Sequence, residues 1–177
     1  TFASTLIFIA FDREEQGLIG SNAYATAHAA DNIQGMISLD MIAYNPPGPS
    51  YNRALLYGRT APIENAMIAA LAPYGITATM QGTLDASDHA PFEWRGKPAT
   101  LLIEGAVWSN PYYHQPTDSV DTLGYIDYDY ATRMTRGTVA YLTASAVLVQ
   151  NNGDVPEPCC VVLLVVFTAV RVTRRRR

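Results

Sequence analysis

Residues 5–11 read Thr-Leu-Ile-Phe-Ile-Ala-Phe, seven positions without a charge and with β-branched or aromatic side chains at both parities. Such a strand has no polar face to turn toward water, so it needs cover on both sides, as in a sheet layered between helices. Polarity returns at once in Asp12-Arg13-Glu14-Glu15-Gln16-Gly17, and residues 18–29 then carry Leu, Ala and Tyr at helical spacing. A second apolar stretch, 33–42, is interrupted near its end by Asp40 and closed by Asn45-Pro46-Pro47-Gly48-Pro49. The pattern continues with predicted strands over 53–58, 76–80 and 98–103, a helix over 62–73, and a short turn at 91–94. Strands alternating with helices indicate an α/β layered sheet. A last helix is predicted from 127 to about 150, with Ala131, Met134, Val139, Leu142 and Val147 roughly on one face.

At 177 residues and 49% apolar content the chain can bury a core, which argues against disorder. Five of its 12 basic residues, Arg171 and Arg174 to Arg177, lie at the C-terminal end. The remainder therefore sets 7 basic side chains against 16 acidic ones and is strongly negative. That balance argues against nucleic acid as a partner, because phosphate binding calls for a basic face. An acidic body suits cations or amine-bearing substrates. The two cysteines, Cys159 and Cys160, are adjacent and leave the body with neither a disulfide framework nor a thiolate metal site. The sequence opens at Thr1 without Met or a basic leader and goes directly into the apolar run, which is read as a truncation.

Glu14-Glu15 and Asp40 follow or end apolar strands, the place where open α/β sheets set their ligand sites. Burial of Asp40 between Leu39 and Met41 demands a cation or strong hydrogen bonds. His114 stands in the aperiodic stretch 104–123 with Tyr112, Tyr113, Thr117 and Asp118; loops of that length are often functional. Neutral imidazole plus carboxylates from separate strand ends is the donor set of a hydrolytic zinc site with open positions. Of two adjacent glutamates, one can bind metal while the other accepts a proton from the attacking water. There is no Gly-x-Ser-x-Gly elbow and no phosphate-binding glycine loop.

Four ordered blocks extend this reading. The stretch from Phe8 to Ser21, FIAFDREEQGLIGS, closely resembles the signature of the co-catalytic di-zinc aminopeptidases of peptidase family M28, the group of bacterial leucyl aminopeptidase and aminopeptidase Y. Gly35-Met36-Ile37-Ser38-Leu39-Asp40-Met41-Ile42, Ser87-Asp88-His89-Ala90-Pro91-Phe92 and Tyr113-His114-Gln115-Pro116-Thr117-Asp118 agree in the same order. The resemblance implies a three-layer α/β/α zinc-exopeptidase fold, phosphorylase/hydrolase-like, with a mixed central sheet whose N-terminal part lies outside this sequence. It also implies that Glu14 is the general base, that Glu15 and His114 bind one zinc and Asp40 the other, and that Tyr113 hydrogen-bonds the developing oxyanion. Ser87, Asp88 and His89 are assigned a supporting role, orienting site loops or lining the pocket, with plain loop anchoring as the alternative. The family's further His and bridging Asp, from an earlier segment, have no counterpart here. The isolated fragment is therefore expected to be inactive, while the complete protein holds two zinc ions.

Residues 1–150 are read as the C-terminal part of the catalytic domain, 151–158 as a linker, and 159–177 as a sorting or anchor tail. In the tail, Pro156-Glu157-Pro158 is followed by an apolar run to Val170 and then by Arg174 to Arg177, an order that resembles the PEP-CTERM sorting signal of Gram-negative bacteria. That resemblance implies export to the cell surface, membrane-anchored or extracellular, and processing by an exosortase-type enzyme, with the basic end cytoplasmic. The apolar run is short for a membrane-crossing helix, which needs about 20 residues. Peptides with a free N-terminus are the expected substrates. Two other functions stand beside this one: glutaminyl-peptide cyclisation on the same scaffold, which shares a similar Asp-His-x-Pro-Phe block, and a metal-free binding or receptor module.

Overall fold

The computed structural model describes residues 4–146 and, as backbone, 162–167. Its strands are β1 (Thr5–Ile9), β2 (Ile33–Leu39), β3 (Arg53–Gly58), β4 (Thr77–Met80), β5 (Ala99–Glu104) and β6 (Val162–Phe167). Helices α1 (Ile19–Ala27), α2 (Ala61–Leu71), α3 (Ala90–Glu93) and α4 (Tyr128–Ser145) connect or follow them. The strands form one mixed sheet in the order β1-β6-β2-β5-β3-β4; β1, β6, β2 and β5 run parallel, while β3 pairs antiparallel with β5.

Side-chain alternation separates the two faces. Ile37 and Leu39 of β2, Leu56 of β3 and Leu102 of β5 pack with Ile63, Met67 and Leu71 of α2 and with Tyr130, Met134 and Leu142 of α4. On the other face Met36 and Ala99 meet Ala25 of α1 and Phe92 of α3. Strands apolar at both parities, with helices on both sides, make the three-layer arrangement that the sequence predicts.

Two particulars depart from the sequence reading. Phe8 is 60% exposed, because β1 lies at one edge of the described sheet and its outward positions lack a covering layer. Val139 is also exposed; the buried face of α4 is Tyr130, Met134, Gly137, Thr138, Tyr141 and Leu142. Gly137 sets that face: a Cβ there would stand 2.5 Å from Leu71 Cδ2 and 3.1 Å from its Cα, so the helix rolls its glycine rather than its valine against α2. Val162–Phe167, inside the segment read as a sorting or anchor tail, forms β6 between β1 and β2. Val147, the last residue assigned to the α4 face, lies outside the described residues.

Candidate metal and active site

The parallel strands β1, β2 and β5 deliver acids at their C-terminal ends. After β1 the chain makes a tight turn, Glu14–Gln16, with Arg13, Gly17 and Leu18 in the left-handed region. The backbone N–H groups of Gly17 and Leu18 both donate to the Glu14 carbonyl, at 3.0 and 2.8 Å. Gly17, at φ 99°, tolerates a conformation that a side chain resists. Gly20 lets the first turn of α1 settle on Asp12, since a Cβ would lie 2.7 Å from the Asp12 carbonyl oxygen. These contacts fix where the two glutamates point.

Asp40 follows β2 directly, its N–H donating to Leu102 O at 3.2 Å, and Met41 then reverses the chain at φ 48°. Ser87 Oγ donates to Asp40 Oδ2 at 2.9 Å and meets Ser38 Oγ at 3.3 Å. The Ser87-Asp88-His89 block thus reaches the site through its serine. Asp88 and His89 are fully buried, and neither the Asp88 oxygens nor the His89 ring nitrogens have a hydrogen-bond partner among the described residues. Burial pushes His89 down to about 4, so it is neutral.

The third acid, Glu104 at the end of β5, escaped the sequence reading. It is 1% exposed, accepts from the Ala43 and Tyr44 N–H groups at 3.2 and 2.8 Å, and accepts from Asn110 Nδ2 at 2.7 Å. One carboxylate thereby ties the loop after Asp40 to the loop that carries His114. The signal was available, because an acid ending an apolar strand is the same argument that singled out Asp40.

His114, at φ 58°, places Nε2 3.0 Å from both Glu15 oxygens, across 99 positions of sequence. Both side chains are more than half exposed. Tyr113 stacks on the His114 ring at 3.9 Å between centroids. Its phenol is raised above the usual value by burial and by Glu15, Asp40 and Glu14, so it stays protonated and available as a donor.

The carboxyls report a crowd of negative charge. Glu14 is pushed up to about 8 by burial, then by Asp40, Glu15 and Asp88. Asp40 is pushed up to about 6 by burial, against the Ser87 hydrogen bond, with Asp88 and Glu15 adding to the rise and His114 opposing it. Adjacent carboxyls that resist ionising together call for a cation. Among the described residues no three His, Cys, Asp or Glu side chains converge into one metal-binding group. The donors instead stand as an outer pair, Glu15 with His114, and an inner carboxylate, Asp40, backed by Ser87. Their chemistry, imidazole plus carboxylates beside a buried acid without a partner, fits zinc.

Known proteins carry the same arrangement of chain. A probable leucine aminopeptidase from Arthroderma otae is 29% identical over 150 residues, 81% of this chain and 39% of that protein. An aminopeptidase from Aneurinibacillus sp. strain AM-1 superposes with a TM-score of 0.59 at 26% identity, covering 86% of this chain and 35% of the other. BSAP, a zinc aminopeptidase from Bacillus subtilis, shares the fold with a TM-score of 0.65 at 19% identity, covering 84% and 37% respectively. The chain thus spans under two-fifths of the length of these relatives. Residues 1–142, which hold every strand-end acid and His114, match Peptidase family M28, and the chain belongs to that family.

Proposed function

We propose that the complete protein is a zinc-dependent aminopeptidase that hydrolyses the N-terminal residue from peptides, with Glu14 as general base. The observation that carries this reading is the meeting of Glu15 and His114 at 3.0 Å beside the half-buried, charge-crowded Glu14. Relatives named as aminopeptidases support it.

Zinc, when bound, polarises the scissile carbonyl and makes water acidic enough to be deprotonated near neutral pH. Glu15 and His114 would hold one ion and Asp40 a second. Glu14 takes the proton of the attacking water on its carboxylate and passes it to the leaving amine. Burial and the neighbouring carboxylates raise its proton affinity above that of a solvated glutamate; with a cation bound that rise is offset, and the carboxylate is free to accept the proton. The Tyr113 phenol donates to the oxygen that gains charge. The acidic surroundings hold the substrate's free ammonium group.

Export belongs to the same proposal: the order Pro-Glu-Pro, apolar run, terminal arginines supports delivery to the surface of a Gram-negative cell and processing by an exosortase-type enzyme. Among the described residues no helix is long and apolar enough to cross a membrane. Mass determination of the surface-exposed protein tests it; a mature chain that retains Arg174 to Arg177 contradicts processing.

The test of activity is hydrolysis of a panel of aminoacyl-nitroanilides by the complete protein, before and after chelation and zinc restoration. Chelator-sensitive release restored by zinc is expected. Failure of release despite bound zinc turns the assignment to glutaminyl cyclisation; failure of both release and zinc binding leaves a binding module.

A further inference from the structure

The turn between β4 and α3 carries a carboxylate that the proposed mechanism does not use. Asp88 is fully buried, and both Oδ atoms lack a hydrogen-bond partner among the described residues. An ionised carboxylate buried without a partner costs several kcal/mol, and burial raises the Asp88 carboxyl above its usual range, so a cation nearby is what would let it ionise. The chain's own candidates are engaged elsewhere. Ser21 is the one side chain near enough to lower the Asp88 carboxyl by a hydrogen bond, but its single hydroxyl proton is directed to Leu18 O at 3.2 Å. Arg59 is committed to Glu93 and Asp85; Arg95 to Pro91 O, Asn22 and Thr26; Lys97 to Asp31 O.

Where the missing positive charge belongs follows from the neighbours. Asp88 directly follows Ser87, whose Oγ holds Asp40 at 2.9 Å. Its charge is also felt by Glu14 as well as by Asp40. Asp88 thus stands one residue from the serine that holds Asp40, fully buried and with both oxygens unpartnered among the described residues.

We propose that Asp88 is a positioning residue for the cation that Asp40 binds, its buried carboxylate supplying counter-charge to that inner position and holding its ligand shell in place. The inference rests on the metallopeptidase reading and adds a member that touches neither substrate nor the outer Glu15–His114 pair. Partners behind the ligands of a metal typically change its affinity 10–100-fold.

The test is zinc titration of the complete protein against a chromophoric chelator, for the wild type and for Asp88→Asn, with thermal unfolding of both in the metal-free and zinc-loaded states. The expected result is a drop of about 10–100-fold in affinity at one of two zinc positions, the other unchanged, and a smaller zinc-induced rise in Tm. Asp88→Ser, smaller and equally uncharged, gives the same comparison if the asparagine variant does not fold, and Asp88→Glu recovers part of the affinity. Equal zinc affinity at both positions in wild type and variants overturns the proposal, as does a lower Tm with an unchanged zinc increment, which marks a purely structural role. A wild type that binds zinc and cleaves its substrate beside such unaffected variants leaves the aminopeptidase reading standing. A wild type that binds no zinc removes both.

Discussion

The two halves of the site are built in opposite ways. Asp40 and Glu104 sit at the ends of central strands, held by Ser87 Oγ at 2.9 Å and by three amide donors respectively, so the sheet fixes them before any ligand arrives. Glu15 and His114 stand on turns, mostly in solvent, and His114 occupies a left-handed backbone conformation. An inner half of this kind is preorganised, whereas the outer half acquires order from what it binds. Glu14 lies at the junction, half-buried against the inner acids and one residue from Glu15.

The largest test of this division is Glu14→Gln in the complete protein. The amide keeps the shape but cannot take a proton, so activity falls by about 10²–10⁴-fold or more while zinc content is unchanged. Near-normal kcat with intact metal would remove Glu14 as the base. Next in size is His114→Ala. With Glu15 left alone on an exposed turn, zinc affinity at the outer position drops at least about 100-fold, and metal analysis finds about one ion fewer per chain. An even loss from both positions would show that the halves are coupled rather than separate.

The sequence made these halves unequally legible. The layered fold followed from apolar runs at both parities, and Asp40 from a carboxylate where such a run ends. Glu104 obeys the same rule, but the Gly, Asn, Pro and Tyr that follow it read as a loop and mask the signal. The pairing of Glu15 with His114 spans 99 positions and has no local signature; only the resemblance of their blocks predicted it. Periodicity puts Val139 on the buried face because it registers apolar character but not the close approach that Gly137 makes to Leu71. An apolar run of the length found in the tail fits a strand, a core helix or a sorting signal, and periodicity alone does not choose.

The inner half also predicts how stability responds to pH. Burial holds Glu104 at about 7 even though three donors favour its ionised form, against about 4.5 for the unfolded chain. Between those values the folded state binds the extra proton, so this group's contribution is complete below pH 4.5 and is lost as pH rises through 7. The difference corresponds to about 3 kcal/mol. In Glu104→Gln that part of the decline disappears, and denaturant unfolding at pH 5 and pH 8 measures it. An unchanged decline in the variant would mean that the strand-end acids do not set the pH response.

Ser87→Ala gives the smallest effect and the finest division between the halves. The Ser87 hydroxyl supplies the hydrogen bond that lowers the Asp40 carboxyl, with His114 adding a smaller effect, against burial that still holds it at about 6. Removing it leaves Asp40 harder to ionise, and zinc binds there only to the ionised form. The pH at which the inner position is half-filled therefore rises, and at pH 6 its affinity falls by about tenfold, the worth of one hydrogen bond to a charged group. At pH 8, where Asp40 is ionised with or without the serine, the difference narrows. The outer position, which has no contact with Ser87, keeps its profile throughout. Zinc titrations at the two pH values separate these cases: a shift confined to the inner position supports two independently built halves, and a shift in both means that Ser87 orders the whole site through Asp40.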